Sequence, residues 1–220
     1  MNEPDVTLTD YALAVLCAVF ALLLQRGTPQ RSGLRPWFVG FFAGASAASL
    51  LGGVFHGYFE DPFTAPGRQL WTASLLAIGA AAFAGEGLAA RLAFAPAAAR
   101  WITRAAALKL ALYAAFVALE PRPFRTAVLD YLPAALFLLA ALGLAWRRAP
   151  RPGTAHAAAG LAITLAAVGI QQLRFSPHPL YLDHNALYHL VQAVGFALLY
   201  AGARRLCGRS VARAPGAHPA

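Results

Sequence analysis

Seven apolar segments, each roughly 20 residues long, follow one another along the chain and constrain its fold more than any other feature. Short loops that carry proline, glycine and arginine separate them. Because about 20 helical residues cross roughly 30 Å of hydrocarbon, the pattern predicts an all-α fold, a seven-transmembrane helix bundle that forms one domain over residues 1–220. The predicted spans are 8–25, 37–58, 70–90, 102–119, 126–146, 155–173 and 185–203.

The composition excludes a water-soluble globule. Hydrophobic residues make up 59% of the chain and charged residues 12%, and the mean hydropathy is +0.56, whereas a soluble domain carries about a quarter charged residues. The first segment follows acidic residues instead of a basic region, so we interpret it as a span and not as a signal peptide. Cys17 and Cys207 predict no disulfide framework.

The arginines report orientation. A net charge of +9 invites a nucleic-acid interpretation, but the basic residues are spread over the loops and form no stripe, so no nucleic-acid partner is expected. Four arginines fall on one side of the membrane: Arg68, Arg122, Arg125 and Arg174. Thirteen fall on the other: Arg26, Arg31, Arg35, Arg91, Arg100, Arg104, Arg147, Arg148, Arg151, Arg204, Arg205, Arg209 and Arg213.

Since positive loops stay in the cytoplasm, this bias predicts an N-terminus outside and a cytoplasmic C-terminus. Frequent alanine and arginine are typical of bacteria with GC-rich DNA. We therefore expect a multi-pass protein of the bacterial inner (plasma) membrane, with the lipid bilayer as its first partner.

Span seven opens with a polar pattern of helical periodicity. Asn185, His189 and Gln192 stand at i, i+4 and i+7 and so form one stripe. His184 and Tyr188 form the neighbouring stripe. With the predicted topology, all five lie in the outer part of the membrane.

Other scarce polar side chains fall at the same depth. On span two, Ser49, Gly52, Gly53 and His56 share a face whose small residues would let a helix or a ligand approach closely. Asp10, Asp130, Gln171 and Gln172 lie toward the outer ends of their own spans.

Ionisable groups in a span cost about 2.5–3.5 kcal/mol on insertion scales, so they usually face a cavity or a partner. The pattern therefore predicts that His56 and His189 face one another in a cavity open to the outer leaflet. Its wall would hold Ser49, Asn185, Tyr188, Gln192 and at least one of Asp10 and Asp130.

Several of these residues also have a purely structural interpretation. Asp183 suits the N-cap of the last helix, and His184 suits the membrane interface. Trp71 and Tyr188 suit an aromatic belt, Gln171 and Gln172 the end of span six, and His156, His178 and His218 the solvent.

Glu86 and Lys109 lie apart from this group, on consecutive antiparallel spans. An ion pair between them would neutralise two charges in lipid, so we predict that they pair and assign them no chemistry.

Two stretches resemble the CREST superfamily of seven-helix membrane proteins, which includes alkaline ceramidases, progestin/adipoQ receptors and Per1-like proteins. Gly52-Gly-Val-Phe-His56 lies where that superfamily has Ser-x3-His, and Asn185-Ala-Leu-Tyr-His189 lies where it has His-x3-His. More closely, the chain resembles an uncharacterised bacterial family of small seven-span membrane proteins. The residues that carry this second resemblance are Gln171-Gln172, His178-Pro179 and the run from Asp183 through Gln192 to Arg204.

The CREST resemblance implies a zinc-dependent intramembrane hydrolase in which His56 and His189 bind the metal and Asp10 or Asp130 acts as general base. The candidate third ligand is His184 or an oxygen of either aspartate. Gly52 and Asn185 replace a serine and a histidine of the pattern, and span three offers no aspartate in its outer half.

A polar cavity of this kind fits two functions. We favour a non-catalytic lipid or small-ligand binder or sensor, because two motif residues are substituted. The alternative is a CREST-like metal-dependent hydrolase acting on a lipid amide or ester. A transporter fits less well because no pair of spans shows the Gly/Pro interruptions of broken helices.

The orientation can be tested with reporter fusions. Because thirteen arginines oppose four, reporters fused after Arg35, Arg100 and Arg151 should report the cytoplasm, and those after Arg68 or Arg122 the exterior. Reversal at any one of these positions would mean that a span has been miscounted.

Overall fold

The computed structural model describes residues 3–27, 33–178 and 181–208. Arg31, Pro179, Arg209, Arg213 and His218, which enter the sequence argument, lie outside the described residues. The seven predicted spans are confirmed as helices, all of them long and apolar enough to cross a membrane. Their bounds are α1 Pro4–Gly27, α2 Arg35–Tyr58, α3 Ala65–Ala93, α4 Pro96–Leu119, α5 Arg125–Arg148, α6 Pro152–Gln172 and α7 His184–Cys207.

Most helices begin earlier than hydropathy alone predicts, and proline explains the difference. Proline has no N–H to leave unsatisfied in the first turn, and its fixed φ suits a helix start. Helices α1, α4 and α6 begin at Pro4, Pro96 and Pro152, and α2 and α3 carry Pro36 and Pro66 at their second residue. Prolines that look like loop residues therefore belong to helix starts.

Six helices form a closed ring. The packed neighbours are α1 with α2, α2 with α3, α3 with α5, α5 with α6, α6 with α7 and α7 with α1, while α4 packs outside the ring on α3. We call the end of the bundle where α1 begins the N-terminal end. The described members of the thirteen-arginine group lie at the opposite end, as the charge pattern predicts.

The half of the bundle toward the arginine end is filled by an aromatic core. Phe38 and Phe42 of α2 are almost wholly buried there together with Phe196 of α7. Phe20 packs edge to face on Phe42 and stacks on Tyr200 at a centroid distance of 4.3 Å. This core fills the ring in that half of the bundle. The open space between the helices lies toward the N-terminal end.

Glycines set the close approach of α6 and α7. Gly153 and Gly160 stand seven residues apart on α6, and Gly195 and Gly202 stand seven apart on α7. A Cβ atom at Gly160 would lie 2.4 Å from the carbonyl oxygen of Gly195, and one at Gly202 would lie 2.6 Å from the backbone nitrogen of Ala157. The two backbones therefore touch where small residues face one another, as is common between helices in membranes.

Glu86 and Lys109 pair as predicted. Lys109 Nζ lies 3.0 Å from Glu86 Oε1 and also 3.0 Å from Asp130 Oδ1. The lysine of α4 thus binds carboxylates of α3 and α5 and holds the outer helix to the ring. One oxygen of each carboxylate, Glu86 Oε2 and Asp130 Oδ2, is buried without a hydrogen-bond partner among the described residues.

Replacing a seam glycine tests the contact between α6 and α7. Gly160→Ala should lower the free energy of unfolding by about 1–3 kcal/mol, because the added methyl group meets backbone that cannot yield cheaply. Gly169→Ala is the matched control, since nothing lies within 4 Å of its Cβ position, and there the better helix propensity of alanine should stabilise the protein slightly. Thermal unfolding of the two purified variants measures both effects. Equal effects would contradict the close glycine contact between α6 and α7.

Removing the lysine tests the ion cluster. Lys109→Met leaves two carboxylates in the bundle without a cation, and we expect a loss on the order of 1–3 kcal/mol. This lies below the roughly 3–5 kcal/mol for a broken buried pair, because a carboxylate left in hydrocarbon can take up a proton and become neutral. Adding Glu86→Gln and Asp130→Asn should restore much of the stability in thermal unfolding. A triple variant no more stable than the single one would show that the charges do not matter.

Candidate functional site

A cavity of about 310 Å³ lies inside the ring, toward its N-terminal end. Every helix of the ring contributes to its wall, and α4 does not. Polar side chains line the part nearer the N-terminal end, and Phe41, Ile78 and Phe196 line the deeper part. The polar and ionisable lining residues are Asp10, Ser49, His56, Ser74, Tyr131, Thr164, Gln171, Asn185, Tyr188, His189 and Gln192.

Asp10 and His189 form the centre of the polar wall. Asp10 is 4% exposed, and its Oδ1 lies 3.3 Å from Nε2 of His189. Nδ1 of His189 lies 3.1 Å from the hydroxyl of Thr9, whose oxygen is also within 3.0 Å of the carbonyl oxygen of Val6. Both ring nitrogens of His189 therefore contact α1, and the contact ties α7 to α1.

His56 lines the same cavity from α2. Its Nδ1 lies 2.5 Å from Oε2 of Glu3, at the beginning of α1. Glu3 was not a predicted site residue, because the first span was expected to begin at residue 8. The signal was present in the sequence, since Glu3 and Asp10 stand seven residues apart and so share a helix face.

Small residues of α2 make room for the Asp10 carboxylate. Ser49 is buried and lies beside Asp10. A Cβ atom at Gly52 would lie 3.2 Å from Oδ2 of Asp10, and one at Gly53 would lie 2.8 Å from the Tyr11 ring. The face of span two that was predicted to permit close approach does so, and the approaching helix is α1.

Amide and phenol groups complete the wall on the side of α5, α6 and α7. Gln171 Nε2 donates to Asn185 Oδ1 at 3.3 Å, and Gln192 Nε2 donates to the Tyr188 hydroxyl at 2.9 Å. The Tyr131 hydroxyl is buried beside Tyr188 and has no well-formed hydrogen bond to any of the described residues. Tyr131 and Thr164 also line the cavity, although no sequence pattern selects them.

His56 and His189 lie in the wall of one cavity together with Asp10, Ser49, Asn185, Tyr188 and Gln192, and their role as a functional site stays a prediction.

Two candidates lie elsewhere. Asp130 points to the other side of α5, where it binds Lys109, so depth along the membrane did not indicate which way it faces. His184 does not line the cavity, and its Nδ1 lies 3.5 Å from Asp183 Oδ2. Asp183 is the N-cap of α7, as its structural interpretation predicted, and accepts a hydrogen bond from the Ala186 N–H at 2.7 Å.

The polar groups form pairs and do not surround a common point. Within the described ranges, no group of three or more His, Cys, Asp or Glu residues is arranged to hold a metal ion. Both nitrogens of His189 face protein groups, and Nδ1 of His56 faces Glu3. The three-ligand zinc site implied by the CREST resemblance does not fit this donor arrangement, and we derive no chemical step through a metal. Zinc binding stays a prediction.

Seven apolar helices, six of which enclose a cavity that is polar at one end and apolar at depth, define a multi-pass membrane protein. The chain belongs to a family of unknown function, DUF6962, which matches residues 6–207 and so covers the whole ring and the cavity. No curated protein and no solved structure matches the chain.

Proposed function

We propose that this protein is a non-catalytic membrane receptor or binding protein that holds a small amphipathic molecule in the cavity of the helix ring. The observation that carries the proposal is the division of the cavity wall. Asp10, His56 and Asn185 offer hydrogen bonds near the N-terminal end, and Phe41, Ile78 and Phe196 offer an apolar surface deeper in the bundle. A ligand would place its polar group among the former and its apolar body among the latter.

The volume supports a compact ligand. Pockets for drug-sized molecules measure about 300–1,000 Å³, and this cavity of about 310 Å³ stands at the lower end of that range. The arginine distribution supports an orientation with the N-terminus outside, in which the cavity lies in the outer half of a bacterial inner membrane. Access would then be from the exterior or the outer leaflet.

The alternative proposal is the metal-dependent hydrolase acting on a lipid amide or ester. It is supported by the presence of His56, His189 and Asp10 in one wall, and it requires these groups to leave their present pairs and converge on zinc. Metal analysis of the purified protein distinguishes the two proposals. Stoichiometric zinc that is lost in His56→Ala would favour the hydrolase.

Filling the cavity tests the binding proposal. Ile78→Trp adds bulk to the apolar part of the wall, and Leu112→Trp makes a similar substitution on the face of α4, where the side chain is 65% exposed. Native mass spectrometry of protein released from membranes should find a bound small molecule on wild type and on Leu112→Trp. The Ile78→Trp variant should have lost it.

Both variants should unfold at temperatures close to that of wild type, so that loss of the ligand is not loss of the fold. The binding proposal fails if wild type carries no bound small molecule, or if the folded Ile78→Trp protein carries the same one.

A further inference from the structure

The charges of the cavity wall are one-sided. Among the residues that the structure describes, no lysine or arginine lines the cavity, whereas Asp10 lies in its wall and Glu3 binds His56 at its edge. Two arginines at the N-terminal end of the bundle have partners outside the cavity. Arg68 donates to the carbonyl oxygen of Leu119, and Arg122 lies 2.6 Å from Glu120. An anionic ligand would therefore meet a carboxylate without a fixed positive charge to bind it.

The Asp10 carboxylate has acceptor capacity to spare. A carboxylate offers about four lone-pair positions, and His189 and Ser49 are the side chains placed to use them. The His189 contact is long, at 3.3 Å. The absent side chain at Gly52 leaves Oδ2 unobstructed by a Cβ atom. A further donor, and above all a charged one, can be accommodated beside this carboxylate.

Aromatic rings supply the second recognition element. They are contributed by four helices of the ring and by the residue that precedes α5, and they line both the polar and the apolar parts of the cavity. They belong to Phe41, Trp71, Phe124, Tyr131, Tyr188 and Phe196. Aromatic faces attract ammonium groups, and the attraction grows to about 2 kcal/mol or more where water is excluded.

We infer that the ligand of this cavity is a compact organic cation, an amine or quaternary ammonium group attached to an apolar body. The inference rests on the proposed binding function and names its ligand class. The ammonium group lies beside Asp10 and among the aromatic rings, and the apolar body occupies the space lined by Phe41, Ile78 and Phe196. A neutral molecule of the same shape gains at most a hydrogen bond to Asp10, and an anionic one is repelled by its charge.

A matched series of probes tests the inference on the wild-type protein. Phenethylamine, phenethyl alcohol and hydrocinnamate share one phenylethyl body and carry a cationic, a neutral and an anionic end. Calorimetric titration would use protein in phosphatidylcholine nanodiscs, with empty nanodiscs and the Ile78→Trp variant subtracted to remove partitioning into lipid. We expect phenethylamine to bind about tenfold more tightly than the alcohol, with hydrocinnamate weakest.

Phenethyltrimethylammonium, which has a permanent charge and no N–H donor, separates charge from hydrogen bonding and should also bind more tightly than the alcohol. In Asp10→Asn the advantage of the amine over the alcohol should shrink to about twofold, since only the aromatic contribution is left. Glu120→Gln removes the same charge from the N-terminal end at a residue that does not line the cavity, and it should leave the advantage unchanged.

The outcomes separate the two proposals. If the alcohol binds as tightly as the amine, or if hydrocinnamate binds best, the organic-cation inference is overturned and the binding function stands. If no probe binds to wild type beyond the level of Ile78→Trp, the inference is overturned as well. In that case only the bound molecule sought by mass spectrometry could still support the binding function. Should Asp10→Asn fail to fold, the comparison of the four probes on wild type still decides the charge preference.

Discussion

Hydrocarbon offers a polar side chain no hydrogen-bond partner, and the arrangement of this bundle follows from that constraint. Backbone groups are satisfied within the helices, so what is left to place is a small number of polar side chains. Several of them bond to a neighbouring helix. Ser46 donates to the carbonyl oxygen of Ala14, Ser74 donates to that of Ala48, and the Tyr113 hydroxyl donates to that of Leu75. The polar residues thus act as cross-links between apolar helices, and their positions determine which helices are neighbours.

The first and last helices close the ring. At the N-terminal end, polar contacts join these two helices. Thr9 and Asp10 of α1 reach His189 of α7, and Asp5 accepts a hydrogen bond from the backbone N–H of Asp183 at 3.1 Å. At the other end the aromatic core provides the contact. A bundle joined by side-chain pairs at one end and by packed rings at the other can keep a space between its helices where the pairs are. The cavity occupies that space.

Sequence patterns predicted the number and order of the helices because hydropathy and length suffice for that. They also predicted the depth of polar residues, since depth follows from position along a straight helix. They did not predict direction around the helix axis, which is why Asp130 was placed with His189 although it faces Lys109. Within one helix, spacing does indicate which residues share a face, so the stripe of Asn185, His189 and Gln192 could be predicted. Spacing does not indicate which side chains of different helices contact one another.

Two features that were missed had visible signals. The seven-residue spacing of Gly153 with Gly160 and of Gly195 with Gly202 marks one face of each helix, and the pairing of α6 with α7 turns these faces into a seam. Glu3 was overlooked because hydropathy alone begins the first span at residue 8, although Pro4 is well suited to the first turn of a helix. A search for prolines followed by apolar runs would have extended the helices toward their true starts.

The departures from the CREST pattern fall in the cavity wall, which bears on what the cavity can do. Gly52 and Asn185 both line it. Gly52 has no hydroxyl to place next to Asp10, and Asn185 has an amide that is bonded to Gln171 and no imidazole. The donor set that would surround a metal is reduced at both positions. The carboxylate and the surrounding rings are left, and these groups are better suited to binding an ammonium ion than to activating water.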